Sequence, residues 1–129
     1  MSEKLLEVSD LRVYFHTDAG VVPAVDGVSF SVDKGKTLSI VGESGCGKTV
    51  TSLSILQLLS TKTGKIEDGS SIKLKGREMV GMSKKELQDI RGNEIAMIFQ
   101  DSMTALNPVM TIEKQILEIM ICLYKNHHF

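Results

Sequence analysis

The sequence predicts an α/β fold opened by antiparallel strands, and three observations carry that expectation. Apolar and polar residues alternate through the first third of the chain. A glycine-rich octet, Gly42 to Thr49, then stands between a compact apolar run and a stretch of helical period. Beyond it, short strand-like and helix-like segments follow one another with turn residues between. The chain has 129 residues, a formal net charge of −1, 42% hydrophobic and 24% charged residues, which suits one soluble domain.

Taken in order, Leu6 and Val8, then Leu11, Val13 and Phe15, mark the first strand region. Thr17 to Gly20 supply a turn, and Val28, Phe30 and Val32 alternate with Ser29 and Ser31 in the next. Asp33 to Gly35 turn the chain into Thr37 to Val41, read as a buried strand. Val50 to Leu59 carries apolar residues at 53, 55, 56, 58 and 59, a helix that Thr61 to Gly64 should end. Ile72 to Leu74 reads as a strand closed by Gly76. Ser83 and Glu86 have the capping-box spacing of a short helix that Arg91 and Gly92 close. Ile95 to Phe99 is a second compact apolar strand, ending in Gln100 and Asp101. Asn107 and Pro108 break the chain, Thr111 can cap, and Ile112, Ile116, Ile119, Met120 and Leu123 mark one face of a closing helix.

Several function classes fall on composition. The longest apolar run, Ile119 to Tyr124, is six residues, against the roughly 18 to 20 needed to cross a bilayer. Lys4 meets Glu3 and Glu7 in place of a secretory leader's apolar stretch, so a cytoplasmic chain is expected. Cys46 and Cys122 lack metal or disulfide spacing and read as reduced thiols. With 15 basic and 16 acidic residues there is no electrostatic footprint for nucleic acid, so any phosphate binding must be local.

Such local binding is what Gly42-Glu-Ser-Gly-Cys-Gly-Lys-Thr49 offers, since it matches G-x-x-x-x-G-K-[ST] between a predicted strand and a predicted helix. A chance match in a chain of this length is roughly one in two hundred, which sets aside a mere flexible turn. Small residues let consecutive backbone N–H groups turn inward around a phosphate, while the following helix points its positive end at the same anion. Lys48 then reaches the β and γ phosphates, and the Thr49 hydroxyl ligates a bridging magnesium ion. Cys46 occupies a position where a small side chain suffices, and reads as a bystander thiol. His127 and His128 lie in an aperiodic tail without a partner at ligand spacing. The basic residues Lys73, Lys75, Arg77, Lys84 and Lys85 alternate with Glu78 and Glu86 and read as an ordinary wet surface.

A glycine loop alone does not choose a reaction, but the rest of the chain narrows the choice. From about Leu5 to about Tyr124 it closely resembles the ATP-binding subunits of ABC transporters. The resemblance implies a P-loop NTPase core of the RecA-like type behind an N-terminal antiparallel β subdomain. Leu11 to Phe15 resembles the family's aromatic loop, in which one ring stacks on adenine; Phe15 is the best match and Tyr14 the alternative. Ile98-Phe-Gln100 resembles the Q-loop, whose glutamine contacts magnesium and reports on the nucleotide to the membrane subunits. Ile95 to Pro108 is similar to the long Q-loop segment of dipeptide and oligopeptide importers, with Ser102 where relatives usually have proline. Gly42 to Thr51 and Ala24 to Phe30 point the same way, toward the D-type rather than the F-type subunit; a nickel or other small-solute importer is the alternative within the subfamily.

The resemblance implies ATP and Mg²⁺ as cofactors, with nucleotide contacts at Phe15, Gly42, Glu43, Ser44, Gly45, Cys46, Gly47, Lys48, Thr49 and Val50, and magnesium contacts at Thr49 and Gln100. It implies transmembrane permease subunits and a second, F-type ATP-binding subunit as partners, met through the Q-loop region at the inner face of the cell membrane. It divides the chain into a β subdomain over about 1–35, a P-loop core over 36–101, and the start of a helical subdomain with an irregular tail over 102–129. The family's L-S-G-G-Q signature, Walker B strand, catalytic glutamate and switch histidine have no counterpart here. A truncated or frameshifted product is therefore expected, one that binds nucleotide at most, with apolar faces uncovered and poor solubility. A non-enzymatic fragment or pseudogene product is the competing reading. A GTPase or kinase is disfavoured, since neither N-K-x-D nor a following D-x-x-G occurs.

Overall fold

The computed structural model describes residues 3–60, 62, 64–101 and 105–126, with side chains through Tyr124. Thr61 and Thr63 at the expected helix end, Ser102, and the tail residues His127, His128 and Phe129 lie outside the described residues, as do the side chains of Lys125 and Asn126. The chain divides into two units, residues 1–89 and 90–129.

The first unit is built on a long hairpin. Strand β1 (Lys4–Thr17) pairs antiparallel with β2 (Gly20–Asp33), and Gly20 (φ 129°) turns the chain between them. Between Val8 and Leu11 the first strand carries a bulge. Three positions rather than two separate these buried residues, so one extra residue must be absorbed for both to face the same side. Asp10 absorbs it at φ 46°, its N–H donating to Ser29 Oγ at 2.8 Å. Val8, Leu11 and Val13 thereby all enter the core, with Val25 from the partner strand.

The other edge of β1 carries two short antiparallel strands. β3 (Gly64–Ile66) pairs with Val13 to Phe15, and β4 (Ser71–Leu74) with Leu6 to Ser9. Between them the backbone of Arg12 is satisfied by the Ser70 hydroxyl, which accepts its N–H at 3.0 Å, and by the Glu67 N–H, which donates to its carbonyl at 2.9 Å. Lys75 and Gly76, both at positive φ, make the tight turn to β5 (Arg77–Glu78). The antiparallel sheet therefore draws strands from well beyond residue 35, in the order β2-β1-β4-β5 with β3 also on β1. Ile72, Leu74 and Met79 complete its buried side.

Helix α1 (Lys48–Ile55) follows the glycine loop and is shorter than the sequence pattern suggested, because Gln57 turns to φ 55° just beyond it. Its buried polar residues are satisfied internally: Thr51 Oγ1 donates to the Gly47 carbonyl and Ser54 Oγ to that of Val50. Helix α2 (Lys84–Ile90) begins on the expected capping box. Glu86 accepts hydrogen bonds from the Ser83 N–H and hydroxyl, which hold its carboxyl below the ordinary value, and its own N–H donates to Ser83 Oγ. Gly92 closes the end at φ 81°.

Two expected strands do not form. Residues 37–41 carry no strand pairing, and Leu38, Ile40 and Val41 are exposed, Val41 at 87%. Residues 95–99 make only one isolated bridge, Arg91 to Ile95, and Ile98 is 97% exposed. The physical reason is partnership. A buried parallel strand needs hydrogen-bonding neighbours and covered faces, and among the described residues neither run has them. Helix α3 (Ile112–Asn126) starts at Thr111 as expected, Thr111 Oγ1 accepting the Lys114 N–H. Its apolar residues Ile112, Ile116, Ile119, Met120 and Leu123 are all exposed.

Candidate functional site: a phosphate cradle at the start of α1

Gly42 to Gly47 forms an irregular loop leading directly into α1. Its conformation depends on glycine at two places. Gly47, the N-cap, sits at φ 92° and ψ 1°, and a methyl group there would land 2.5 Å from the Ala24 carbonyl oxygen. The loop is thus seated on β2, backbone against backbone. At Gly42 a methyl group would land 2.5 Å from Cys46 Sγ, so a side chain there would force the cysteine to move.

Within this ring lies the Lys48 ammonium. Its Nζ donates to the carbonyls of Gly42 and Glu43, each at 2.6 Å, and approaches Cys46 Sγ at 3.5 Å. The thiol is exposed. The Cys46 N–H donates back to the Glu43 carbonyl at 3.4 Å, making a compact turn. Thr49 is exposed at the second position of α1, and Val50 is half-buried one residue on. No acidic side chain occupies the first turn of this helix, so its positive end is not neutralised by a carboxylate of its own.

A hollow of about 400 Å³ opens beside the loop. Ala24, Val25 and Asp26 of β2 line it together with Cys46, Gly47 and Lys48. Asp26 accepts the Tyr14 hydroxyl at 2.9 Å, and Arg12 lies 3.8 Å from the same carboxylate and 3.1 Å from Asp10. That bond to Asp26 holds the Tyr14 phenol above its ordinary value. Sequence reasoning placed Asp26 only within the Ala24 to Phe30 stretch of the resemblance and gave it no role of its own. Phe15 is half-buried on β1, its ring against Gly64, where an added methyl group would meet Cε1 at 3.0 Å. Gln100 is exposed and belongs to the unit of residues 90–129, whereas the loop and Phe15 belong to that of residues 1–89.

The basic residues of β4 and β5 behave as surface. Lys73 lies opposite both Glu7 and Glu78 in the sheet. Glu78 has a further task that its charge alone did not suggest. Partial burial raises its carboxyl, but hydrogen bonds from the Ser71 hydroxyl and the N–H groups of Ile72 and Val80 outweigh this and hold it below the ordinary value.

Comparison with known proteins takes in this loop and most of the chain. Residues 25–128 match the family model described as "ABC transporter". The chain belongs to the ABC transporter family. This ABC chain is 51% identical over 117 residues to the oligopeptide transport ATP-binding protein AppD of Bacillus subtilis, covering 91% of the chain and 35% of that relative. It is likewise 51% identical over 119 residues to the dipeptide transport ATP-binding proteins DppD of Bacillus subtilis and of Lactococcus lactis, covering 92% of the chain and 35% and 34% of the relatives. It therefore spans about a third of the length of these curated relatives. The resemblance read from the glycine loop and from Ile95 to Pro108 is borne out at the level of family and of the peptide-transport relatives. Among the described residues, no helix is long and apolar enough to cross a membrane.

Proposed function

We propose that residues 1–129 bind the polyphosphate of ATP, and that the whole protein is an ATP-binding subunit of a dipeptide or oligopeptide importer. The observation that carries the first part is the Gly42–Thr49 ring with Lys48 inside it at the positive end of α1. The relatives' printed names support the second.

The residues present fit the group. A bare position at 42 leaves the space inside the ring beside Cys46 and Lys48 unfilled, a bare position at 47 lets the loop sit against β2, and Lys48 would supply the positive charge for the β and γ oxygens. Loop N–H groups from Glu43 to Thr49 would hold the phosphates, and the exposed Thr49 hydroxyl would offer magnesium a neutral oxygen donor, which suits a hard cation. Bound magnesium supplies charge neutralisation between the phosphates. Phe15 is our choice for the base, by stacking. In the whole protein, nucleotide binding would close this subunit on a second ATP-binding subunit and act on transmembrane permease subunits through the Gln100 region, from the inner face of the membrane.

The test is a Mg-ATP titration of the purified chain beside Lys48→Ala, with folding followed on the same samples. Loss of charge-assisted bonds worth about 2 to 3 kcal/mol should weaken binding on the order of 30- to 150-fold. Equal affinity in the two proteins would sink the assignment, and a preference for GTP over ATP would redirect it to another P-loop class.

A further inference from the structure

Gly64 opens β3 directly across from Phe15 of β1. Glycine weakens a strand, since it brings no side chain to pack and gives up more backbone freedom than any other residue. The backbone does not call for it here, because Gly64 is not among the glycines at positive φ and its conformation is open to any residue. The ring opposite does call for it. A methyl group at position 64 would meet Phe15 Cε1 at 3.0 Å and Cδ1 and Cζ at 3.5 Å each. Three atoms of one ring thus converge on the place where a side chain would stand, and the glycine beneath them is buried.

The ground under the ring is fixed. The Gly64 N–H donates to the Ser60 carbonyl at 2.8 Å, and two residues on, Ile66 pairs with the fully buried Val13. The neighbouring aromatic is held differently. Tyr14 is tied to β2 by its hydroxyl, which donates to Asp26 Oδ1 at 2.9 Å. Phe15 has no polar atom to anchor, so the surface it lies on sets its position.

We infer that Gly64 is a positioning residue for the base, an inference that rests on the assignment of Phe15 above and deepens it. The bare Cα is the seat that lets the Phe15 ring lie low against β3 with its outer face free for a nucleobase. A side chain at 64 would lift or turn the ring into the space the base needs, and stacking weakens as two rings separate or tilt. A ring already seated also spends little rotamer freedom when the base arrives. Because a glycine facing an aromatic across two strands also stabilises a sheet, stability and base binding must be read apart.

Wild type is compared with Phe15→Leu, Gly64→Ala, Gly64→Val and the double variant Phe15→Leu/Gly64→Ala. Three quantities are read: affinity for Mg-ATP, affinity for Mg-tripolyphosphate, which carries phosphates without base or ribose, and the urea midpoint. Since stacking one base on one aromatic ring contributes roughly five- to 150-fold in affinity, Phe15→Leu and Gly64→Val should each weaken Mg-ATP binding about tenfold and Gly64→Ala about threefold, with tripolyphosphate affinity within about twofold of wild type. The double variant should bind ATP as Phe15→Leu does, because Gly64 acts through that ring. Valine is a strong strand former; should Gly64→Val nevertheless fail to fold, Gly64→Ala and its double variant decide. Undiminished ATP affinity in the Gly64 variants beside a weakened Phe15→Leu overturns the seat and leaves Phe15 as the base contact. A parallel loss of ATP and tripolyphosphate affinity, or a further loss in the double variant, shows that Gly64 serves the sheet alone and also overturns it. Full ATP affinity in Phe15→Leu overturns the assignment of the base to Phe15, and this inference with it. A wild-type chain that binds neither probe overturns the nucleotide reading and everything built on it.

Discussion

The hairpin of β1 and β2 and the segment 37–41 have nearly the same sequence character, yet one is the centre of a sheet and the other is exposed backbone. Both alternate or concentrate β-branched and leucine residues between turn signals. The hairpin succeeds because its partner is two residues away across Gly20, so little loop entropy is spent before fourteen residues on each side can pair. Residues 37–41 and 95–99 call for neighbours distant in sequence, which parallel pairing always does. Apolar pattern therefore states that a segment can be a strand; only topology states whether it is one.

The comparison is sharpest at single residues. Leu11, fully buried, should lose about 3 kcal/mol of stability on change to alanine, read as a lower urea midpoint. A change below 1 kcal/mol would mean that the hairpin is no better packed than residues 37–41. Glu78→Gln should cost about 1 kcal/mol, because a charged acceptor serving three donors becomes a neutral one. Its pH dependence has a definite sign. A carboxyl held below the ordinary 4.5 stabilises above that pH, and the contribution is lost as pH falls through the lowered folded-state value. Wild type should lose stability in that acid range more steeply than Glu78→Gln, and parallel curves would break the account. Ser83→Ala should cost about 1 kcal/mol through the capping box of α2, measurable by helical circular dichroism. Smallest of all, Val41→Ala should stay within about 0.5 kcal/mol, since its side chain is already in solvent. A loss like that at Leu11 would show residues 37–41 to be buried after all.

What could be read in advance follows the same line. The turn at Gly20, the capping box at Ser83 and Glu86, the cap at Thr111 and the glycine loop are contiguous signals, and each stands where its residues placed it. Residues that act across the chain left no such mark. Ser29 at the bulge, Ser70 beside Arg12 and Asp26 beside Tyr14 are ordinary polar residues until the sheet brings their partners near. The three-position gap between Val8 and Leu11 drew no reading from the sequence alone, and the structure gives it the physical meaning of a bulge. Gln115, whose Oε1 accepts the Asn107 N–H at 2.8 Å, sits four residues after a capping threonine, but spacing alone does not distinguish it from any other surface glutamine.

Lys48 carries a thermodynamic consequence of its own. Its ammonium already rests on two backbone carbonyls, so under the proposed reading an arriving phosphate would not simply add an anionic acceptor but would replace the acceptors that the loop provides. Binding becomes a trade of one oxygen set for another, and the calorimetric heat should be well below what a tally of new contacts implies. The same trade would release the carbonyls of Gly42 and Glu43 to water, so the loop would register its ligand by a change in its own hydration.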